Sequence, residues 1–281
     1  MRKAWSLFFL AAAVVAVAAC WAAPGMHWWF PQKSPGGHAV SPLGNQIDDL
    51  FYLILVITSV TFIGTQAMLA FVLWKYEAAP GRRSAFTHGS HSLEVIWSVV
   101  PAGIMLFIAL YQMDVWARYR IQSRFDPYAF EHPIAEVTAR QFEWRIRYPA
   151  PGKTLQAKPQ PDDLYTVNDF HIPLGRPVMF QLRSDDVLHS FFLPHHRVKQ
   201  DAVPGMTIPV WFESTQTGEF ELVCAELCGW GHYKMRGQIT AQREEEFQEY
   251  LKKLSQSQFD DGVLAANAAG AQQAPAGEEK P

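Results

Sequence analysis

"QFEWRIRYP", residues 141–149, alternates: Phe142, Trp144, Ile146 and Tyr148 recur at every second position, with charged residues between them. A spacing of two puts all four on one face of a strand. The same pattern continues outward in "EVTAR" (136–140), "DFHIPLGRPVMFQLRS" (169–184), "MTIPVWFES" (206–214) and "GEFELVC" (218–224), with Pro, Gly and Asp between the runs. Such spacing predicts an all-β sandwich or barrel. The domain is expected to span residues 134–254 and to close with a helix over "REEEFQEYLKKLSQ" (243–256), with acids in its first turn and lysines in its last, as the helix dipole favours. Residues 255–281, rich in Ala, Gly, Gln and Pro, are expected to be a disordered tail.

Upstream, the chain is apolar. Leu50–Trp74 and Val95–Met113 carry no charge, and each is long enough to cross a hydrocarbon core of about 30 Å as a helix. Transmembrane helices are therefore expected over 50–74 and 92–116, with a linker over 117–133. The connecting loop, 75–91, carries Lys75, Arg82 and Arg83 against Glu77, which places it in the cytoplasm and both chain ends outside. Before them, Met1–Lys3 and the run from Ala4 to Ala19 make a signal-like n-region and h-region. The "VAAC" that follows has the form of a lipobox. Residues 1–19 are thus expected to be a signal peptide, with Cys20 as a candidate acylated residue opening an extracytoplasmic segment over 20–49; the alternatives are an uncleaved signal anchor or an ordinary signal peptide cut a few residues later.

A net charge of −3 over 281 residues, with 18% charged, describes neither a nucleic-acid binder nor a disordered chain. The bland total hides a concentrated feature. Two of the three cysteines fall in "CAELCGWGHYKM", residues 224–235, which adds His232 and Met235. An exported domain with two cysteines invites a disulfide, but that gives no reason for the imidazole and the thioether. Zinc would use Cys and His without the thioether. Copper suits all three donor types, and a mononuclear blue-copper site needs one Cys, two His and a weak Met. A second thiolate on the same plan leaves room for a second, bridged copper. The missing histidine belongs on an earlier strand end. His189 in "SDDVLHSFFLP" is a candidate, and spacing alone does not choose it over His171, His195 or His196.

The loop resembles the C-x-E-x-C-G-x-x-H-x-x-M loop of the binuclear CuA centre in subunit II of haem-copper cytochrome c oxidase, and "DVLHS" with "DAVPGM" resembles that family's first-histidine strand and the segment after it. The resemblance spans roughly residues 45–241. It implies a bacterial-type two-helix transmembrane hairpin followed by a cupredoxin-like Greek-key β-barrel outside the cytoplasmic membrane. It further implies that Cys224 and Cys228 bridge two copper ions, with His189 and His232 as terminal nitrogens and Met235 and the Glu226 backbone carbonyl as weak ligands. The Glu226 side chain would hold a Mg²⁺ shared with subunit I. No haem is expected in this chain.

The same resemblance implies the partners and the reaction. Electrons from cytochrome c, or another cytochrome donor, would enter the copper pair and pass to haem in subunit I, where O₂ is reduced to water with proton translocation; subunit III and membrane lipid complete the surroundings. Glu94, in "HSLEVIW", would stand near the entrance of a proton path, and it also suits a helix N-terminus by charge alone. Residues 125–254 hold 18 acids against 14 basic residues, with Asp185 and Asp186 beside His189, a surface that would steer a basic donor. The family's Q-W-x-W stretch here reads "QFEW". Phe142 thus stands where the family admits electrons and Trp144 keeps the second aromatic, which leaves Trp144, Trp211 and Trp230 as other candidates. The competing reading is a membrane-tethered copper-binding or copper-delivery cupredoxin. A quinol oxidase subunit II would lack the copper ligands, and the CuA domain of nitrous oxide reductase comes with a propeller and no hairpin.

Overall fold

The computed structural model describes residues 2–26, 28, 38–76, 81, 83, 86 and 88–263. The chain divides into two compact units, Met1–Phe30 with Gln46–Arg118, and Pro31–Asn45 with Tyr119–Pro281.

The first unit is built from helices α1 (Arg2–Ala22), α2 (Pro42–Lys75) and α3 (His91–Arg120). Among the described residues three helices are long and apolar enough to cross a membrane, one more than the expected hairpin. The addition is α1, the segment read as a signal peptide. It continues through Cys20 without a break, and the Trp21 indole donates to Ser59 Oγ (3.4 Å). The other two helices overrun their apolar stretches. At 34 and 30 residues they are about 50 and 45 Å long, well beyond a hydrocarbon core of about 30 Å. The start of α2 is set by chemistry that the apolar run does not reveal: Ser41 Oγ accepts from Gly44 N–H (2.9 Å), and Pro42 takes the first helical position. Polar hydroxyls inside the spans are satisfied locally. Thr58, Thr61 and Ser98 each donate back to the carbonyl four residues earlier. The end of α3, a 3-10 turn (Gln122–Arg124) and a short helix α4 (Pro127–Glu131) occupy the expected linker.

The second unit is the β-domain. One sheet has the order β3-β2-β1-β5-β8 and the other β4-β10-β9-β6-β7. The first comprises β1 (Ala135–Arg140), β2 (Glu143–Tyr148), β3 (Leu164–Val167), β5 (Val178–Ser184) and β8 (Ile208–Phe212); the second comprises β4 (Asp169–Pro173), β6 (His189–Leu193), β7 (Val198–Ala202), β9 (Gly218–Cys224) and β10 (Arg236–Gln242). Pairing is antiparallel except for β1 with β5 and β4 with β10. The core lies between the sheets. Phe180 of one meets Phe170 and Phe191 of the other at ring centroids of 5.4 and 4.8 Å, and Trp144 meets Phe191 at 5.5 Å. These two packed sheets are the all-β architecture that the alternating segments predict, in the cupredoxin-like form that the resemblance implies. Trp144, Ile146 and Tyr148 are all fully buried, whereas Phe142 lies in the turn before β2 and is half-buried.

Two features lay outside the sequence pattern. Val40 is buried in this unit, its N–H donating to the His195 carbonyl (2.8 Å) and its carbonyl accepting from Thr215 N–H (2.9 Å). Arg147, on the face of β2 opposite the aromatic one, is also buried. It pairs with Glu136 (3.1 Å) and Asp163 (2.7 Å).

Helix α5 (Glu244–Asp260) runs past Ser255, into the segment expected to be a disordered tail. The cause is Gln258, buried at its far end, which donates to the Tyr165 carbonyl (2.6 Å) and accepts from Tyr165 N–H (3.3 Å) on edge strand β3. Lys252 and Lys253 are consequently mid-helix rather than in the last turn, and Lys253 pairs with Glu249 one turn earlier (2.7 Å). The rest of the expected tail, from Leu264 onward, lies outside the described residues.

Candidate metal centre

Four segments of the β-domain converge at one end. His189 opens β6; Cys224 closes β9; residues 225–235 return to β10; and Gln141 and Phe142 make the β1–β2 turn. Because β6 and β9 are antiparallel neighbours with Phe191 opposite Cys224, the start of one strand lies beside the end of the other. Ala225 N–H donates to the Ser190 carbonyl (2.9 Å) and Cys224 N–H to that of Met235 (3.2 Å), which closes both ends of the loop. Within it, Gly229 has φ +138°, a conformation that side chains disfavour. A Cβ on Gly231 would stand 2.4 Å from the Phe142 ring, so the loop lies flat on that ring only because position 231 has no side chain.

Both cysteines are free thiols, their sulfurs 3.9 Å apart, about twice a disulfide bond length. Each sulfur faces its own pair of further donors. Cys224 Sγ is 4.0 Å from His189 Nδ1 and 3.2 Å from the Glu226 carbonyl oxygen. Cys228 Sγ is 3.7 Å from His232 Nδ1 and 3.8 Å from Met235 Sδ. The His189 nitrogen and both sulfurs fall within 4.8 Å of one another. His189, Cys224, Cys228 and Met235 are buried and His232 half-buried.

The protonation of this cluster favours a cation. Burial pushes the Cys224 thiol up, but hydrogen bonding with His189 and with the backbone of Ser190 and Glu226 outweighs it and brings the group down to about 6. Cys228 is raised, first by burial and then by the Cys224 thiolate. The pair thus holds a single negative charge unless a positive ion joins it, and a soft cation lets both thiols ionise. Two thiolates, two imidazoles, a thioether and a carbonyl fit copper; a closed zinc site would use the two thiolates and two imidazoles but has no use for the thioether.

Behind His189, its Nε2–H donates to Asp186 Oδ1 (2.8 Å), fixing the tautomer that turns Nδ1 toward Cys224. Asp186 also accepts from Gln141 N–H (2.8 Å) and Val187 N–H (2.7 Å). Gln141 Nε2 donates to the Cys228 carbonyl (2.5 Å), so one glutamine ties the carboxylate to the loop. Sequence reasoning noticed the charge of Asp186 and missed the role of Gln141. Its only signal was its place beside the aromatic stretch.

The remaining candidates are separated by the fold. His171 stacks on Tyr250 of α5 at 3.6 Å, and His195 and His196 are buried against Phe220, so of the four histidines left open by spacing it is His189 that meets the thiols. Trp144, the aromatic kept in second place, is fully buried with its ring 6.3 Å from that of His189. Trp211 packs with Phe125, Ala129 and Met179 in a separate cluster. Phe142 meets the exposed Trp230 edge to face at 5.4 Å. Asp185 is exposed, and Glu226 is half-buried. Glu94 lies in the first turn of α3, 3.9 Å from His91 Nδ1 and largely exposed.

Residues 147–242 match the family described as cytochrome c oxidase subunit II, periplasmic domain, and residues 36–115 match its transmembrane domain. The chain is 29% identical to an alternative cytochrome c oxidase subunit 2 of Bradyrhizobium diazoefficiens, over 80% of this chain and 83% of that one. It is 31% identical to cytochrome c oxidase subunit 2 of Alkalihalophilus pseudofirmus, over 77% and 62% respectively. The crystal structure of the periplasmic domain of subunit II of cytochrome oxidase from Bradyrhizobium japonicum covers 44% of this chain and 93% of its own length, at 27% identity and a TM-score of 0.38. With both domains of one subunit matched in order along it, the chain belongs to the cytochrome c oxidase subunit II family, a membrane-anchored component of an oxidoreductase complex.

Proposed function

We propose that the β-domain holds a binuclear copper centre that takes electrons from a cytochrome c, or an equivalent donor, and passes them to haem in subunit I, where O₂ is reduced to water with proton translocation. The observation that carries this reading is the pair of free thiols 3.9 Å apart, each flanked by its own imidazole. When bound, a copper pair in this donor set would supply one-electron acceptance and release.

The protein's part is to hold those ligands still. Cys224 and Cys228 would supply the thiolates, His189 and His232 the nitrogens, and Met235 and the Glu226 carbonyl the weaker donors. The β6–β9 pairing fixes His189 and Cys224 on rigid strands, and Asp186 and Gln141 lock the imidazole and the loop, which is the preorganisation such a site needs. Burial of four of these side chains excludes water and keeps the thiolates from oxidation.

Three finer readings belong to the same proposal. The Glu226 side chain holds a Mg²⁺ at the contact with subunit I. Glu94 stands at the cytoplasmic entrance of a proton path, and Cys20 is lipidated. In this reading the chain lies in a bacterial cytoplasmic membrane with its β-domain outside, against subunits I and III.

The test is recovery of the full tagged chain from its own membranes in mild detergent. A haem-bearing partner should come with it, together with cytochrome c-driven O₂ consumption that Cys224→Ser abolishes. Copper on the chain without any haem protein would favour a tethered copper carrier instead.

A further inference from the structure

An electron reaching a buried metal pair from outside needs a surface group that a donor can touch and a short bonded path inward. Trp144 is fully buried, so it offers a donor nothing. Phe142 is half-buried, and Trp230 stands across its ring at 5.4 Å. Trp230 is 76% exposed, although it lies between Cys228 and His232 on the loop that holds both. One backbone residue, Gly229 or Gly231, separates it from each of those ligands. Lys234 Nζ also lies 4.5 Å over the indole and steadies it.

A lone exposed aromatic on a surface is ordinary. Here Leu227 and Tyr233, on the same short loop, are also about three-quarters exposed, so the apolar exposure is concentrated directly over the ligands. Tryptophan at the centre of such a patch is the side chain most used to anchor a partner. Its extended π-system is also the most polarisable route available between a docked haem edge and the loop.

We infer that Trp230 is the residue through which electrons enter this subunit, with Phe142 positioning it. The inference rests on the electron-accepting role proposed above. The step is a one-electron transfer: donor haem iron goes from iron(II) to iron(III), the copper pair is reduced by one electron, and no bond or proton moves. Gly229 and Gly231 serve the arrangement. A side chain at either position would push against Gln141 or Phe142 and tilt the indole off its support.

The experiment uses the whole oxidase complex, wild type and Trp230→Phe, with two reductants. These are reduced cytochrome c in stopped flow and the small photoreductant ruthenium(II) tris-bipyridine, which does not need a docking site. The limiting rate of copper reduction by cytochrome c should fall on the order of tenfold in Trp230→Phe, while the rate with the ruthenium complex and the copper spectrum stay as in wild type. A second readout needs no metal. In the metal-free protein, hydroxyl-radical labelling of Trp230 should be suppressed by oxidised cytochrome c, and Trp144 should remain unlabelled with or without it. If wild type is reduced by cytochrome c and Trp230→Phe keeps the full limiting rate, electrons enter elsewhere and the inference fails while the wider role stands. If cytochrome c fails to reduce wild type although the ruthenium complex succeeds, the role as acceptor from this donor fails, and the inference with it. Phe142→Leu, which keeps Trp230 but removes the ring beneath it, should lower the limiting rate by a smaller factor than Trp230→Phe.

Discussion

Replacing Asp186 with asparagine tests the support behind the first imidazole. The carboxylate accepts three hydrogen bonds: from His189 Nε2 and Val187 N on Oδ1, and from Gln141 N on Oδ2. An asparagine has one acceptor oxygen. If that oxygen stays with His189 and Val187, the amide NH₂ faces the Gln141 N–H, donor against donor; if it flips, the clash moves to His189. Either way, at least one hydrogen bond to a charged acceptor is lost, worth about 1.5–3 kcal/mol. When the loss falls on His189, the preference for the tautomer that turns Nδ1 to the thiols goes with it. A supporting carboxylate behind a ligating histidine contributes roughly 10–100-fold to metal affinity, which is about 1.4–2.7 kcal/mol. The two routes to the magnitude agree. Competition against a copper chelator, with the full chain in detergent, should therefore show Asp186→Asn weakened by that factor while the circular dichroism of the β-domain is unchanged. Affinity within about twofold of wild type would mean that Asp186 does not orient His189, and the reasoning from the hydrogen bond would be wrong.

Two further outcomes follow from packing and from protonation. Gly231→Ala places a methyl 2.4 Å from the Phe142 ring; overpacking should cost about 1–3 kcal/mol, and Phe142→Ala in the same chain should recover part of that loss, as a double-mutant cycle in chemical denaturation would reveal. His196 is buried against Phe212 and Phe220, and burial lowers it to about 3, followed by the nearby charges of His195 and Arg197. The folded state therefore stays neutral there while the unfolded chain takes up a proton below about 6.5, so this contribution is fully present above that pH and is lost as pH falls toward 3. His196→Phe should flatten the pH dependence of stability between pH 6.5 and 3 by about 1.4 kcal/mol per unit. An unchanged slope would mean that His196 is protonated in the fold.

Much of the fold was legible because period-two alternation reports a buried face directly. Trp144, Ile146 and Tyr148 are buried as the spacing of β2 requires. Arg147 on the other face was not legible, since its burial depends on Glu136 from β1 and on Asp163 at the end of the β2–β3 connection. Helix ends were misplaced where an apolar run was used as a proxy for a helix. The α2 cap at Ser41 and the Gln258 anchor of α5 are polar, and hydropathy is blind to both. At the site, the loop ligands were plain in the sequence because they lie within twelve residues. Spacing alone left His189 level with His171, His195 and His196; the family resemblance named it, and the β6–β9 pairing is what carries it to the thiols. Trp144 and Trp230 likewise read as equals in the sequence, and only burial separates them.

The most direct measurement is the copper content of the purified full chain, with its electron paramagnetic resonance spectrum. An electron shared equally between two copper nuclei of spin 3/2 gives seven hyperfine lines, and one confined to a single nucleus gives four. Two thiols 3.9 Å apart, each with its own imidazole, predict two coppers per chain and the seven-line signal, both lost in Cys224→Ser. One copper with a four-line spectrum, or zinc in its place, would contradict the binuclear centre.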